Sequence, residues 1–201
     1  MRLRKLALCI GAAALLAGGG AAFLPPLLWG DRADYSHVTS IGSTREYKDP
    51  LLVRKAWALP VAATYRASID FQRNPSYCGP ASLVNVLRSL QQAGDQATLL
   101  DEAGRWTLLG HLPGGVTLDE LADIARTKLP RKTITVLRDL DLASFRAELR
   151  LADDPSRRYV INFARGPLFG AGHGHHSPLA GYLVDEDLVL VIKGRDRVAE
   201  R

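Results

Sequence analysis

The chain has 201 residues, of which 47% are hydrophobic and 23% charged, the profile of a globular domain with a core of its own rather than a disordered or fibrous chain. Its formal net charge is +5, but Arg2, Arg4 and Lys5 sit together ahead of an apolar run, and the other arginines alternate with Asp and Glu as on a solvated mixed surface. No basic stripe with interleaved aromatics and no nucleic-acid motif stands in the sequence, which excludes nucleic acid as a partner.

In chain order, residues 1–28 read as a signal peptide or membrane anchor. A basic start precedes a charge-free run from Leu6 to Leu28, longer than the roughly 20 residues a bilayer needs. The small residues Gly18 to Ala22 offer a cleavage site. Positive charge ahead of the run favours a cytoplasmic N-terminus with the body across the membrane. An exported protein is expected, periplasmic or held to the membrane by this segment. Cys9 begins the apolar run rather than ending it, so a lipoprotein cysteine is not indicated. Residues 29–56 are polar without an apolar period and read as a linker, leaving 57–201 as one domain.

Within that domain, 59–70 alternates and is β-branched in places, which suggests a short strand. Leu83, Val84, Leu87 and Leu90 recur at helical spacing after Cys78, and Gly94-Asp95 ends that helix. A second helix is expected over 98–106. Pro113-Gly114-Gly115 is a turn, and Gly110 to Gly115 lacks the lysine of a phosphate cradle. Thr117 and Glu120 make a capping box for a helix through Leu121, Ile124 and Ala125, which Pro130 stops. The β-branched run 133–137 reads as a strand. Asp141 caps a helix carrying Leu142, Phe145 and Leu149. A strand over 159–163 follows, then a hairpin of 177–184 and 188–192 across Asp185-Glu186-Asp187, a solvated turn. Helices first and antiparallel strands last point to an α+β fold.

Chemistry concentrates at two places. The first is Gln72-Arg73-Asn74-Pro75-Ser76-Tyr77-Cys78-Gly79-Pro80-Ala81-Ser82, which puts a thiol at a helix start. The thiolate is the nucleophilic form, and a helix N-terminus favours it. The second is Gly172-His173-Gly174-His175-His176-Ser177-Pro178, a distant histidine source for proton transfer. The Gln72 amide and the Cys78 N–H could together receive an oxyanion. This is the layout of a papain-type nucleophile. Cys78 is also the only cysteine beyond the N-terminal run, so the body can form no internal disulfide. A histidine metal site is not expected: His175 and His176 are neighbours on a strand and point to opposite faces, and zinc needs further ligands.

These segments resemble the phytochelatin synthase family, papain-like enzymes acting on glutathione. Phe71, Gln72, Pro75, Tyr77, Cys78, Gly79, Ala81 and Ser82 match its first motif in order and spacing. Val160-Ile161-Asn162-Phe163, then Gly174-His175-His176-Ser177-Pro178 and Gly181-Tyr182, match its second, where an aromatic or aliphatic residue usually stands at position 176. The likeness spans roughly residues 58 to 192. It implies a nucleophile helix packed on an antiparallel sheet, with Cys78 as nucleophile, His175 as base and Gln72 as oxyanion donor. It also implies that Asn162, Arg165 and Gly174 line the γ-glutamylcysteine site. The expected activity is that of a glutathione γ-glutamylcysteinyltransferase, releasing glycine through a Cys thioester, toward phytochelatin or toward glutathione degradation. Short bacterial-type members are expected to favour hydrolysis.

The chain departs from the pattern at the triad acid. Lys193 stands where the family has aspartate, Asp196 is the nearest replacement, and the family's aromatic, proline-rich continuation is missing, as in a truncated or divergent member. Two alternatives follow: a papain-like peptidase of the leader-cleaving type, or a catalytically silent binding domain. No tightly bound cofactor is expected; cadmium, zinc or copper would arrive as thiolate complexes of the substrate. Glutathione or a related γ-glutamyl peptide is the expected partner, the membrane a second one through residues 1–28, and a homodimer is compatible with the sequence.

Overall fold

The computed structural model describes residues 41–67, 69–105, 107, 112, 114–170 and 172–192. After a 3-10 turn at Ile41–Ser43 come helices α1 (Arg45–Lys48), α2 (Pro50–Trp57), α3 (Pro60–Tyr65), α4 (Cys78–Ser89), α5 (Gln96–Glu102), α6 (Leu118–Lys128) and α7 (Leu142–Arg150). A second 3-10 turn, Leu151–Asp153, leads to strand β1 (Tyr159–Ala164), helix α8 (Arg165–Phe169) and strands β2 (Gly174–Leu183) and β3 (Leu188–Val191). The strands form one antiparallel sheet in the order β1-β2-β3. Helices α1 to α7 precede the sheet, α8 connects β1 to β2, and α4 packs on the central strand β2. This is the α+β arrangement expected from the sequence.

Among the described residues, three apolar clusters hold the fold. The largest joins Leu83, Val84 and Leu87 of α4 to Leu99 and Leu100 of α5 and to Leu121 and Ile124 of α6. A second places Val61, Ala62 and Tyr65 of α3 against Ala180 and Ile192. A third sets Leu149 and Ala152 against Leu179 and Tyr182. Strand β2 is buried from His176 to Leu183, as a central strand covered on both faces must be.

Several local expectations are met for the stated reasons. Thr117 and Glu120 form the reciprocal capping box of α6, which ends at Lys128 ahead of Pro130. Asp141 accepts from the Ser144 N–H and starts α7. The hairpin forms, with a register shift between Leu179 and Gly181. Gly181 is required there: a Cβ would lie 2.5 Å from Leu59 Cδ1 and 2.9 Å from Asp153 Oδ1.

Others are corrected. Residues expected as linker are helical from Arg45, and Asp49 caps α2 through the N–H groups of Leu51 and Leu52 with Pro50 in the first turn. The strand expected in 59–70 is helix α3: Pro60 presets its first turn, and Val61, Ala62 and Tyr65 recur at helical spacing. Helix α5 starts two residues earlier than expected because Asp95 accepts from Ala97 and Thr98; Trp106 lies outside the described residues. Helix α4 stops at Ser89, before Gly94: Gln91 turns to φ 58° and the Gln92 N–H reaches back to the Leu87 carbonyl at 2.9 Å, as in a Schellman end. The run 133–137 forms no strand and pairs with none among the described residues; Ile134 leans on the large cluster and its carbonyl accepts from Arg126.

The acidic turn does more than face solvent. Lys55 of α2 reaches Glu186 at 2.7 Å. Arg146 of α7 pairs with Asp187, whose Oδ1 also accepts the Tyr182 hydroxyl at 2.5 Å. The turn therefore ties two helices to the sheet.

Among the described residues no helix is long and apolar enough to cross a membrane. The segment 1–28, expected to target or anchor the chain, lies outside the described residues, as do Lys193 and Asp196.

Candidate active site

Cys78 is the first residue of α4 and is partly exposed. Tyr77, which precedes it, supplies no side-chain cap, and Pro80 has no N–H to satisfy. The first turn thus presents the N–H groups of Cys78 and Gly79 at the positive end of the helix. The Ser82 hydroxyl donates to the Cys78 carbonyl at 2.7 Å. Gly79 allows close packing behind the thiol: a Cβ there would lie 2.2 Å from Val116 Cγ2 and 3.6 Å from the His176 ring.

The loop ahead of Cys78 is tied down at almost every residue. Asn85, buried on α4, accepts from the Asp70 N–H at 2.7 Å and donates to the Asp70 carbonyl at 2.9 Å. Gln96, fully buried at the start of α5, accepts from the Arg73 N–H at 3.2 Å and donates to the Phe71 carbonyl at 2.8 Å. Gln72 lies between these anchors. Its Nε2 donates to the Asn74 carbonyl at 2.8 Å, one of the two protons an amide nitrogen carries. The Asn74 side chain accepts from the Ser76 N–H and hydroxyl. The Ser76 hydroxyl oxygen accepts the Leu112 N–H at 3.0 Å.

The histidine side is built by the β1–β2 pair. His175 is opposite Phe163 in the ladder, and His176 is opposite Asn162. The His175 ring is partly exposed and meets Phe163 edge-on, with centroids 5.7 Å apart. His176 points the other way and is 4% exposed, the opposite-face placement that strand geometry dictates. Its Nε2 lies 3.0 Å from the Val116 carbonyl and 3.3 Å from Asn162 Nδ2. A carbonyl can only accept, so Nε2 bears the proton in the neutral ring and Nδ1, buried and without a hydrogen-bond partner among the described residues, holds a lone pair. Burial pushes the His176 pKa below its ordinary value, against the opposing pull of the Val116 carbonyl.

The other expected residues gather at the same end of the sheet. Gly174 pairs with Ala164, and a Cβ on it would lie 3.7 Å from Asn162 Oδ1. Arg165 begins α8, its N–H and its Nε both donating to the His173 carbonyl, at 3.2 and 3.1 Å. A recess of about 530 Å³ lined by Arg105, Leu112, Gly115 and Glu120 has neither Cys78 nor His175 in its wall. The residues that sequence reasoning missed are Asn85, Gln96 and Ser76. Asn85 alone had a visible signal: an amide inside the apolar run Leu83-Val84-Asn85-Val86-Leu87 must find partners when buried.

Residues 52–195, well over half the chain, match the sequence model of phytochelatin synthase. A protein of Schizosaccharomyces pombe named glutathione gamma-glutamylcysteinyltransferase is 26% identical over 132 residues, covering 60% of this chain and 31% of the relative. A protein of Lotus japonicus named glutathione gamma-glutamylcysteinyltransferase 3 is also 26% identical over 132 residues, covering 60% of this chain and 27% of the relative. The chain spans under a third of the length of these two relatives.

Proposed function

Because the chain belongs to the phytochelatin synthase family, we propose that it is a cysteine acyltransferase acting on glutathione or a related γ-glutamyl peptide. The observation that carries this reading is Cys78 as first residue of α4, at a helix N-terminus with no side-chain cap. The thiolate attacks the carbonyl carbon of the cysteinyl–glycine amide. The tetrahedral oxyanion is met by the Cys78 N–H and the second Gln72 amide proton. His175 takes the thiol proton and returns it to the glycine amine as the C–N bond breaks. A γ-glutamylcysteinyl thioester remains on Cys78. Water then gives γ-glutamylcysteine, and the amine of a second glutathione gives a phytochelatin bond. Asn162, Gly174 and Arg165, at the end of the sheet that carries His175, hold the γ-glutamyl part. Soft metal ions enter with the substrate as thiolate complexes.

Asp196 is the acid we assign to orient His175, in place of the aspartate that Lys193 displaces. The same lysine favours a second reading, a catalytically silent binding domain, since its charge opposes imidazolium formation. One experiment separates the two. Glutathione added to the full chain should release glycine and leave an acyl adduct on Cys78 by mass spectrometry. Cys78→Ser should abolish both, and His175→Ala should lower turnover by about 10³–10⁴. Glutathione binding without glycine release, in the parent chain and after Lys193→Asp, would establish the silent domain.

A further inference from the structure

Gln72 has no rigid element of its own. It lies in the loop between α3 and α4, and its amide must face Cys78 to within a few tenths of an ångström to serve an oxyanion. The backbone on either side of it is fixed from outside the loop. Gln96 accepts from the Arg73 N–H at 3.2 Å and donates to the Phe71 carbonyl at 2.8 Å. These are the backbone groups immediately before and after Gln72. The Gln96 side chain is 0% exposed, so water cannot substitute for either bond. It stands on the first turn of α5, whose Asp95 cap also pairs with the Arg73 guanidinium.

We infer that Gln96 is a positioning residue for the reaction, a buried carboxamide that brackets Gln72 and holds its amide toward Cys78. The inference rests on the proposed role of Gln72 as oxyanion donor. A glutamine is suited to the task because one carboxamide offers an acceptor and a donor on the same planar group. It therefore satisfies an N–H and a C=O two residues apart, as a neighbouring strand would. Glutamate would keep the acceptor and lose the donor. Methionine would fill the space and lose both.

The test is a double-mutant cycle read by glycine release from glutathione in the full chain. Gln72→Ala should lower kcat by about 10²-fold. Gln96→Met should lower kcat about tenfold with KM within about twofold. In the Gln72→Ala background, Gln96→Met should cost about twofold or less, because its effect runs through Gln72. Gln96→Glu should fall between wild type and Gln96→Met. The same loss with and without Gln72 would overturn the inference and leave Gln96 a structural residue only. A Gln72→Ala variant with full kcat would instead remove the oxyanion role itself, a different failure read from a different arm. Should Gln96→Met fail to fold, Gln96→Glu is carried through the same cycle. Amide exchange in the wild type then adds an independent decision: the Arg73 N–H should be protected, and exchange as fast as that of an exposed loop amide would overturn the inference.

Discussion

The two halves of the candidate site are supported in opposite ways. The nucleophile half is held from the inside: Cys78 begins a helix whose other residues are mostly buried, and its approach loop is tied by Asn85 and Gln96, both nearly or fully buried. The histidine half stands at the open end of a hairpin. Asn162 and Gly174 are exposed, His175 is half-buried, and its ring makes a T-shaped contact with Phe163. Rigid support thus sits with Cys78 and with the loop that carries Gln72, the proposed oxyanion donor. The exposed end is left open to solvent, where the proposed γ-glutamyl peptide would bind. Substitution should therefore cost stability on one side and substrate handling on the other.

The sharpest probe of that contrast is a pair of asparagines. Asn85→Ala leaves the Asp70 N–H and carbonyl without their partners inside the protein, and loss of two such buried bonds costs about 2–3 kcal/mol. Denaturant unfolding should show it directly. Asn162→Ala, on the exposed end, should change stability by no more than about 0.5 kcal/mol and raise the KM for glutathione about tenfold. Equal stability losses in the two variants would break the contrast.

The nucleophile half was the more legible in the sequence, yet its supports were not. Cys78 at a helix start and the capping box of Thr117 and Glu120 follow from local rules, and both are realised. Helix α3 was hidden because the β-branched Val61 and Thr64 suggest a strand, while Pro60 and the burial of Tyr65 under Ala180 and Ile192 select a helix. The run 133–137 has strand composition, but a strand exists only with a ladder partner, and among the described residues this run has none; of its side chains only Ile134 packs on the large cluster. The roles of Gln96 and Ser76 depend on which distant backbone groups folding brings to them. No periodicity in one segment encodes that.

A smaller effect concerns His176, behind the nucleophile. Burial lowers its pKa below 6.5, so the unfolded chain binds the more protons as the pH falls through the unfolded value. Stability must then decrease with falling pH, from about 6.5 down to the folded pKa, by at most one proton's worth, about 1.4 kcal/mol per pH unit. His176→Phe, which keeps an aromatic ring and removes the titration, should flatten that slope. An unchanged slope between pH 7 and 5 would mean that His176 is not the group responsible.

The smallest effect belongs to the acidic turn far from both halves. Arg146, with the Tyr182 hydroxyl, holds the Asp187 pKa at about 2, below the 3.8 of a free aspartate. A carboxylate with a depressed folded pKa contributes stability that is complete above the unfolded value and lost as pH falls through the folded one. The window here runs from about pH 4 to about pH 2. Asp187→Asn keeps an acceptor for Tyr182 but gives up the charge. The group is exposed and the pair is screened by solvent, so at pH 7 the variant should melt only about 1–2 °C lower. The two melting curves should approach each other as the pH falls from 4 to 2, because only the wild type has a charge to lose. Added salt near 1 M should close most of the gap at neutral pH as well. A gap that stays constant across both titrations would place the stabilisation in the Tyr182 hydrogen bond and its packing rather than in the Arg146 pair, and the turn would then tie α7 to the sheet by shape and not by charge.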